Sequence, residues 1–329
     1  KELAALGEKI INFGVGEPDF DTPEHIKAAA AEAMAQGMTR YTPVPGTLEL
    51  RQAVCAKLLR DNGLSYHPNE IVVSCGAKHS LYNALQVLVD EGDEVIIPAP
   101  YWVSYVEQVK LAGAEPVVVP TQPENGFKLT ADELRAALTA RTRLLILNSP
   151  SNPTGSVYTE AELRALAAAV LDAGIWVLSD EVYEKLVYDG EKHVSVASFG
   201  PEIKARTVVI NGVSKAYAMT GWRIGYAAAP AQVAKAMADL QSHSTSNPTS
   251  IAQAAAVAAL NGPQEPVEAM VAAFAARRTY MLERLAALPG VRFCKPAGAF
   301  YVFLDVSAYF GRQYRGRVVE SATDLAALL

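Results

Sequence analysis

Seven short apolar runs, at 71–74, 94–97, 115–119, 144–148, 175–179, 208–211 and 224–228, do most to restrict what this chain can fold into. They do not alternate polar with apolar residues, so they read as strands buried on both faces. Helical stretches lie between most of them, which are the intervals of βα repeats and suit a mostly parallel sheet. Thr22-Pro23-Glu24 opens one helix with a cap and a first-turn proline, running to about 36–37, and 47–62 is a second. Thr130 with Glu133, and Thr159 with Glu162, have the spacing of capping boxes. Past Gly262-Pro263 the texture changes to one long helix over 265–288, followed by a strand pair at 292–294 and 300–305. The expected class is α/β: a large domain with a mostly parallel seven-stranded sheet between helices, plus a smaller α+β domain built from both chain ends. The expected division is 1–21 with the small domain, including a strand at 10–13, then 22–262 as the large domain and 263–329 as the small one.

Composition narrows the function. The 329 residues are 50% hydrophobic and 19% charged, which favours a well-buried core over a disordered chain. A formal charge of −6 argues against a nucleic-acid groove. No apolar run reaches the roughly 18 residues of a membrane span. Cys55, Cys75 and Cys294 are scattered, with no CxxC and no Cys/His metal cluster, so core packing in a reducing, cytoplasmic setting is expected. The chain starts at Lys1 without Met and stops on an apolar helix at 324–329 with no stop signal, as expected of a chain trimmed at its ends.

In open α/β sheets ligands bind beyond the carboxyl ends of the strands, so those ends carry the chemistry. After 71–74 comes Cys75-Gly76-Ala77-Lys78-His79, a small turn into a helix. It can seat a phosphate, or be an ordinary tight βα turn. After 144–148 comes a loop from Ser149 to Gly155 whose two later prolines and glycine hold Asn152, either to present its amide to a ligand or to satisfy its own turn. After 175–179 come Asp180 and Tyr183, spaced to share a face. A carboxylate there wants a cationic partner, from a ligand or from the core. After 208–211 come Ser214-Lys215 and then Arg223. A single lysine is usually solvated, but beside a small-residue strand end and an arginine it is a candidate Schiff-base lysine. Together these supply what pyridoxal phosphate needs: an imine-forming amine, an acid for the pyridine nitrogen, a donor to the phenolic oxygen and a phosphate seat.

Seven stretches then resemble fold-type-I pyridoxal-phosphate enzymes, specifically class I aminotransferases of the bacterial aspartate aminotransferase type. They are Gly16-Glu17-Pro18-Asp19-Phe20, Tyr41-Thr42-Pro43-Val44-Pro45-Gly46, Gly76-Ala77-Lys78, Pro100-Tyr101-Trp102, Ser151-Asn152-Pro153-Thr154-Gly155, Ser179-Asp180-Glu181-Val182-Tyr183, and the run from Ser214 to Gly225. They lie in the family's order and cover most of the chain. The resemblance implies that Lys215 carries the cofactor covalently and acts as general base. It implies that Asp180 pairs with the pyridine nitrogen, that Asn152 and Tyr183 bind the phenolic oxygen, and that Trp102 stacks on the ring. Arg223 and the amides of Gly76, Ala77 and Lys78 would hold the phosphate. Tyr41 would reach the phosphate of a neighbouring subunit, making a homodimer. Gly16, Trp102, Asn152 and Lys78 would line the substrate, Lys78 meeting a side-chain carboxylate.

The implied reaction moves an amino group between L-aspartate or glutamate and a 2-oxo acid such as 2-oxoglutarate, ping-pong through pyridoxamine phosphate, without a metal. Alternatives of the same fold are an aspartate/prephenate, aromatic or alanine aminotransferase, or a related lyase or synthase. A non-enzymatic regulator is disfavoured, because no DNA-binding helix pair or basic extension accompanies the cofactor residues. Two departures stand out. Gly212 occupies a position where some relatives carry a phosphate-binding serine. The family's C-terminal arginine lies beyond the last residue, and Arg312, Arg315 and Arg317 do not sit in its motif, so the small domain is expected to be incomplete.

Overall fold

A computed structural model gives the fold over residues 14, 16–314 and 316–329; the strand expected at 10–13 and Arg315 lie outside the described residues. Seven strands form the main sheet: β1 (Ile71–Ser74), β2 (Glu94–Ala99), β3 (Glu115–Pro120), β4 (Thr142–Asn148), β5 (Trp176–Asp180), β6 (Thr207–Gly212) and β7 (Gly225–Ala228). Their order is β1-β7-β6-β5-β4-β2-β3. The run from β6 to β3 is parallel, and β7 is antiparallel to both of its neighbours.

The missing alternation in the strands has a direct physical basis. Leu144 and Ile146 of β4 pack into the core on one face of the sheet, with the helix Ala77–Leu88. Leu145 and Leu147 pack into the core on the other face, against the helix Glu160–Ala173. Both faces are covered, so the middle positions of such a strand are apolar in succession, with polar residues confined to its ends. The edge strand β3 is the exception, and its side chains are exposed or half-buried.

Thr130 and Thr159 form the capping boxes that their spacing predicts. The first helix corrects the expectation at Thr22. It spans Glu24–Ala35 with Pro23 as N-cap, and no side chain caps it. The Thr22 hydroxyl instead donates to the Ala218 carbonyl at 2.7 Å and accepts from the Trp222 indole at 3.0 Å. Those tertiary partners take the oxygen that would have capped the helix. They also tie the chain near residue 22 to the loop after Lys215.

The smaller domain contains the long helix Glu265–Ala286, the strand pair Arg292–Phe293 with Leu304–Asp305, and a hairpin of Gln313–Tyr314 with Arg317–Val318. The expected strand pair is thus present but short, and the hairpin had no clear signal in the sequence. Between the two strands of that pair, residues 296–299 dock on the large domain. The Ala297 and Gly298 amides donate to Gly155, the Ala299 amide to Leu186, and the Tyr188 amide to Ala297. Arg278 fastens the same place, donating to the Pro296 carbonyl and, through both terminal nitrogens, to Asp189. The approach is close: a Cβ on Gly155 would lie 2.3 Å from Pro296, and one on Gly298 2.7 Å from Pro150. The hydrogen bonds from Arg278 and Lys295 hold the Asp189 carboxyl well below the usual carboxylate range.

Candidate active site

The carboxyl ends of β1, β5 and β6 meet at a cavity of about 480 Å³ that Lys215, Asp180, Tyr183, Asn152, Trp102 and Arg223 help to line. Ala77, Lys78 and Gly16 reach it as well. Asp180 is the last residue of β5 and is 4% exposed. Its carboxylate accepts from the Tyr105 hydroxyl at 2.7 Å and from the Val182 amide at 3.3 Å. Among the described residues no cation pairs with it. Burial raises its pKa to about 6, although the Tyr105 hydroxyl and the Val182 amide pull the other way. A buried carboxylate in this state is suited to a ligand that brings a positive charge.

Lys215 follows β6 by three residues and donates to the Gly16 carbonyl at 2.5 Å. Burial lowers its pKa and the charge of Arg223 adds to that, while Glu17 and Asp180 oppose it. A larger share of the amine is therefore neutral, the form that attacks a carbonyl carbon. Tyr183 is buried, and its hydroxyl lies 2.6 Å from that of Tyr301. Burial pushes the Tyr183 phenol well above its ordinary range, and the neighbouring Asn152 amide opposes the shift.

The anion seat is built by close approach. Gly76 precedes the helix Ala77–Leu88 with φ of 90°, in the left-handed region that favours glycine, and no side chain caps that helix. A Cβ on Gly76 would lie 2.3 Å from the Arg223 guanidinium. Arg223 is held by the carbonyls of Thr220 and Cys75 at 2.8 and 3.3 Å. The guanidinium and the open helix start thus face one small space, and a phosphate fits that donor set. Gly225 completes the approach, since a Cβ there would lie 2.1 Å from the Ala77 amide nitrogen. At Gly212 a Cβ would lie 2.9 Å from the Ile224 carbonyl, so a serine at that position requires the facing backbone to shift. Ser214 and Thr220, which line the cavity, bring hydroxyls nearby.

Lys78 extends over the Trp102 ring, with its ammonium 4.7 Å from the ring centroid, at the edge of the same cavity. Tyr41 is not among the cavity-lining residues and is 90% exposed.

Sequence reasoning missed three residues that shape this site, and a buried ion pair apart from its lining. Asn148 donates to the Asp180 carbonyl and accepts from the Asn152 amide. Its position as the last residue of β4 was a usable signal. Tyr105, three residues beyond Trp102, was also within reach of helical spacing. Tyr301 and Lys57 had no local signal. Lys57 is buried and pairs with Glu184, whose other oxygen accepts from Asn62 at 2.9 Å. Burial alone would raise the Glu184 carboxyl, but the Lys57 ammonium holds it below its ordinary value. Next to Asp180, Glu181 accepts from Ser179, Ser195 and His193. Glu181, Glu184 and His193 bring ligand-capable atoms within 4.8 Å of one another, with Lys57 as the cation already paired there.

The chain is similar to known proteins along nearly its whole length. A family model described as aminotransferase class I and II matches residues 8–328. The aspartate aminotransferase of Geobacillus stearothermophilus is 58% identical over 303 residues, covering 92% of this chain and 77% of that protein. The aspartate/prephenate aminotransferase of Cereibacter sphaeroides is 50% identical over 332 aligned positions, covering 100% and 83%. The crystal structure of the aspartate aminotransferase from Rhizobium meliloti superposes with a TM-score of 0.96 at 47% identity, covering 99% of this chain and 82% of that one. That of Thermus thermophilus with maleate gives 0.90 at 46% identity, covering 94% and 80%. A sheet of this order, a cavity with these groups at the strand ends and a match along nearly the whole chain lead to one assignment: the chain belongs to the aminotransferase class I and II family.

Proposed function

We propose that this transaminase moves the amino group of L-aspartate or L-glutamate to a 2-oxo acid such as 2-oxoglutarate, with pyridoxal phosphate bound in the cavity. One observation carries the reading. A buried carboxylate, a half-buried amine and an anion seat line one cavity at the ends of three strands.

Bound pyridoxal phosphate supplies a conjugated ring that withdraws electrons from the substrate's Cα. Asp180 would hold a proton on the pyridine nitrogen, which supplies the positive charge that its buried carboxylate wants. Tyr183 and Asn152 would donate to the phenolic oxygen, and Trp102 would cover a ring face. Arg223 and the amides of Gly76, Ala77 and Lys78 would hold the phosphate. Lys215 would bind the cofactor covalently, give way to the substrate's amino group, and then move the Cα proton to the cofactor's C4′ carbon. Asn152 and Gly16 would line the substrate. Tyr41, exposed outside its own cavity, would serve the phosphate of a second copy in a homodimer. Residence in the cytoplasm belongs to the same reading. No helix among the described residues is long and apolar enough to cross a membrane, and the three cysteines are free.

The reaction has a direct test. Protein loaded with pyridoxal phosphate and mixed with aspartate alone should lose its visible absorption, and 2-oxoglutarate should restore it. No spectral change with either aspartate or glutamate would end this reading. Because relatives include an aspartate/prephenate aminotransferase, prephenate belongs in the acceptor panel.

Lys78 decides the donor preference. Its ammonium, over Trp102, is placed to meet a side-chain carboxylate. Lys78→Ala should reduce kcat/KM for aspartate about tenfold more than for alanine, the size of one charge-assisted hydrogen bond. Equal losses for both donors would remove the carboxylate role and leave Lys78 to the phosphate.

A further inference from the structure

Tyr301 comes from the smaller domain, more than a hundred residues from Tyr183, yet the two hydroxyls lie 2.6 Å apart. Either can be the donor. Each phenol has one proton and can accept through its oxygen. A Tyr183 that spends its proton on Tyr301 has none left for anything in the cavity. Resting on the cofactor assignment above, we infer that Tyr301 is a positioning residue. Its hydroxyl donates to Tyr183, so that the Tyr183 proton is free for the cofactor's phenolic oxygen.

Two independent features hold Tyr301 to this task. The first is its backbone. Residues 296–299 are tied to Gly155, Leu186 and Tyr188 by main-chain hydrogen bonds, and Arg278 binds both Pro296 and Asp189. Those partners lie at the end of the Asn152 loop and just beyond Tyr183, so the docked segment sits on the same two motifs that its tyrosine serves. Phe300 adds a ring contact, stacking on Phe274 of the long helix at 5.2 Å. The second feature is the space the hydroxyl occupies. A Cβ on Gly16 would lie 2.5 Å from the Tyr301 oxygen. Glycine at 16 therefore leaves room for the Tyr301 hydroxyl beside the carbonyl that receives Lys215. Any larger residue there would push the phenol off Tyr183.

The consequence is that the smaller domain helps set how strongly Tyr183 donates. A donor to the phenolic oxygen favours the deprotonated form of the lysine-bound cofactor, so a weaker donor moves its titration to higher pH. The test uses the full chain loaded with pyridoxal phosphate and follows its visible absorption against pH. Tyr301→Phe removes one oxygen and keeps the ring. It should raise the midpoint by about 0.1–0.4 pH unit, because it removes only the cooperative strengthening of the Tyr183 bond and leaves that bond in place. A 3-fluorotyrosine placed at 301, a stronger donor of nearly the same shape, should lower the midpoint. In the Tyr183→Phe background, Tyr301→Phe should shift nothing further, because its effect runs through Tyr183. An unchanged midpoint in Tyr301→Phe and in the fluorotyrosine protein would overturn the inference, and so would an equal shift with Tyr183 absent. If the unsubstituted protein does not titrate, or if its midpoint ignores Tyr183→Phe, the cofactor assignment fails and takes this inference with it.

Discussion

Lys215→Ala is expected to lower turnover at least about 10⁴-fold and to abolish the covalent link to pyridoxal phosphate. The size follows from two losses at one atom. Removing a well-placed general base costs about 10²–10⁴ in rate, and removing the nucleophile that carries the cofactor is a separate loss. Among the described residues two lysines line the cavity, and their surroundings choose between them. Lys215 is fixed by the Gly16 carbonyl, and its burial favours the neutral amine. Lys78 is exposed at the cavity edge and lies over the Trp102 ring, with no backbone carbonyl among the described residues fixing it. Borohydride reduction of the loaded protein followed by peptide mapping separates the two. The unsubstituted chain should be labelled at residue 215 and the variant should not be labelled. A labelled peptide containing Lys78 in both proteins would transfer the role to Lys78.

What could be read from sequence depended on how far each residue reaches. Gly76, Asp180, Lys215 and Arg223 lie at or just beyond strand ends, and strand ends are visible as the places where apolar runs stop. The caps at Thr130 and Thr159 need only their own helix turn, and they form as their spacing predicts. Thr22 has the same kind of local signal, but its oxygen is claimed by Ala218 and Trp222, about two hundred residues away. Tyr301 and Lys57 are harder still. A tyrosine beside a phenylalanine and a lysine inside a helix look ordinary until folding brings each to its partner. Glycines divide the same way. Gly76 announces itself as a turn before a helix, whereas the contact that restricts Gly16 comes from Tyr301, which no local pattern connects to it. Tyr41 is a third case: its resemblance-based role lies across an interface between copies, so within one chain it is simply an exposed ring.

Asp180→Asn should move stability and activity in opposite directions. In the cofactor-free protein the Asp180 carboxyl has its pKa raised from 3.8 to about 6 by burial. Between those two values the folded chain binds more protons than the unfolded one, so stability falls as pH rises through that window. Above about pH 6 the penalty is present in full, about 1–3 kcal/mol for a shift of this size. Asparagine carries no charge to bury. Its carbonyl oxygen can keep the Val182 amide, and the Tyr105 hydroxyl can rotate to accept from its nitrogen. The cofactor-free variant should therefore melt higher than the unsubstituted protein at pH 8, and the gain should shrink toward zero near pH 4. Loaded with pyridoxal phosphate, the order reverses in function. The amide cannot hold a proton on the pyridine nitrogen by charge, so turnover should fall by about 10³-fold or more, the scale of losing a preorganised electrostatic partner. Cofactor binding should also raise the melting temperature less than in the unsubstituted protein, because no buried carboxylate remains for the ring to neutralise. A stability difference that ignores pH would show that burial of the Asp180 charge is not what separates the two proteins. Near-normal turnover would remove Asp180 from the chemistry, whatever its effect on the fold.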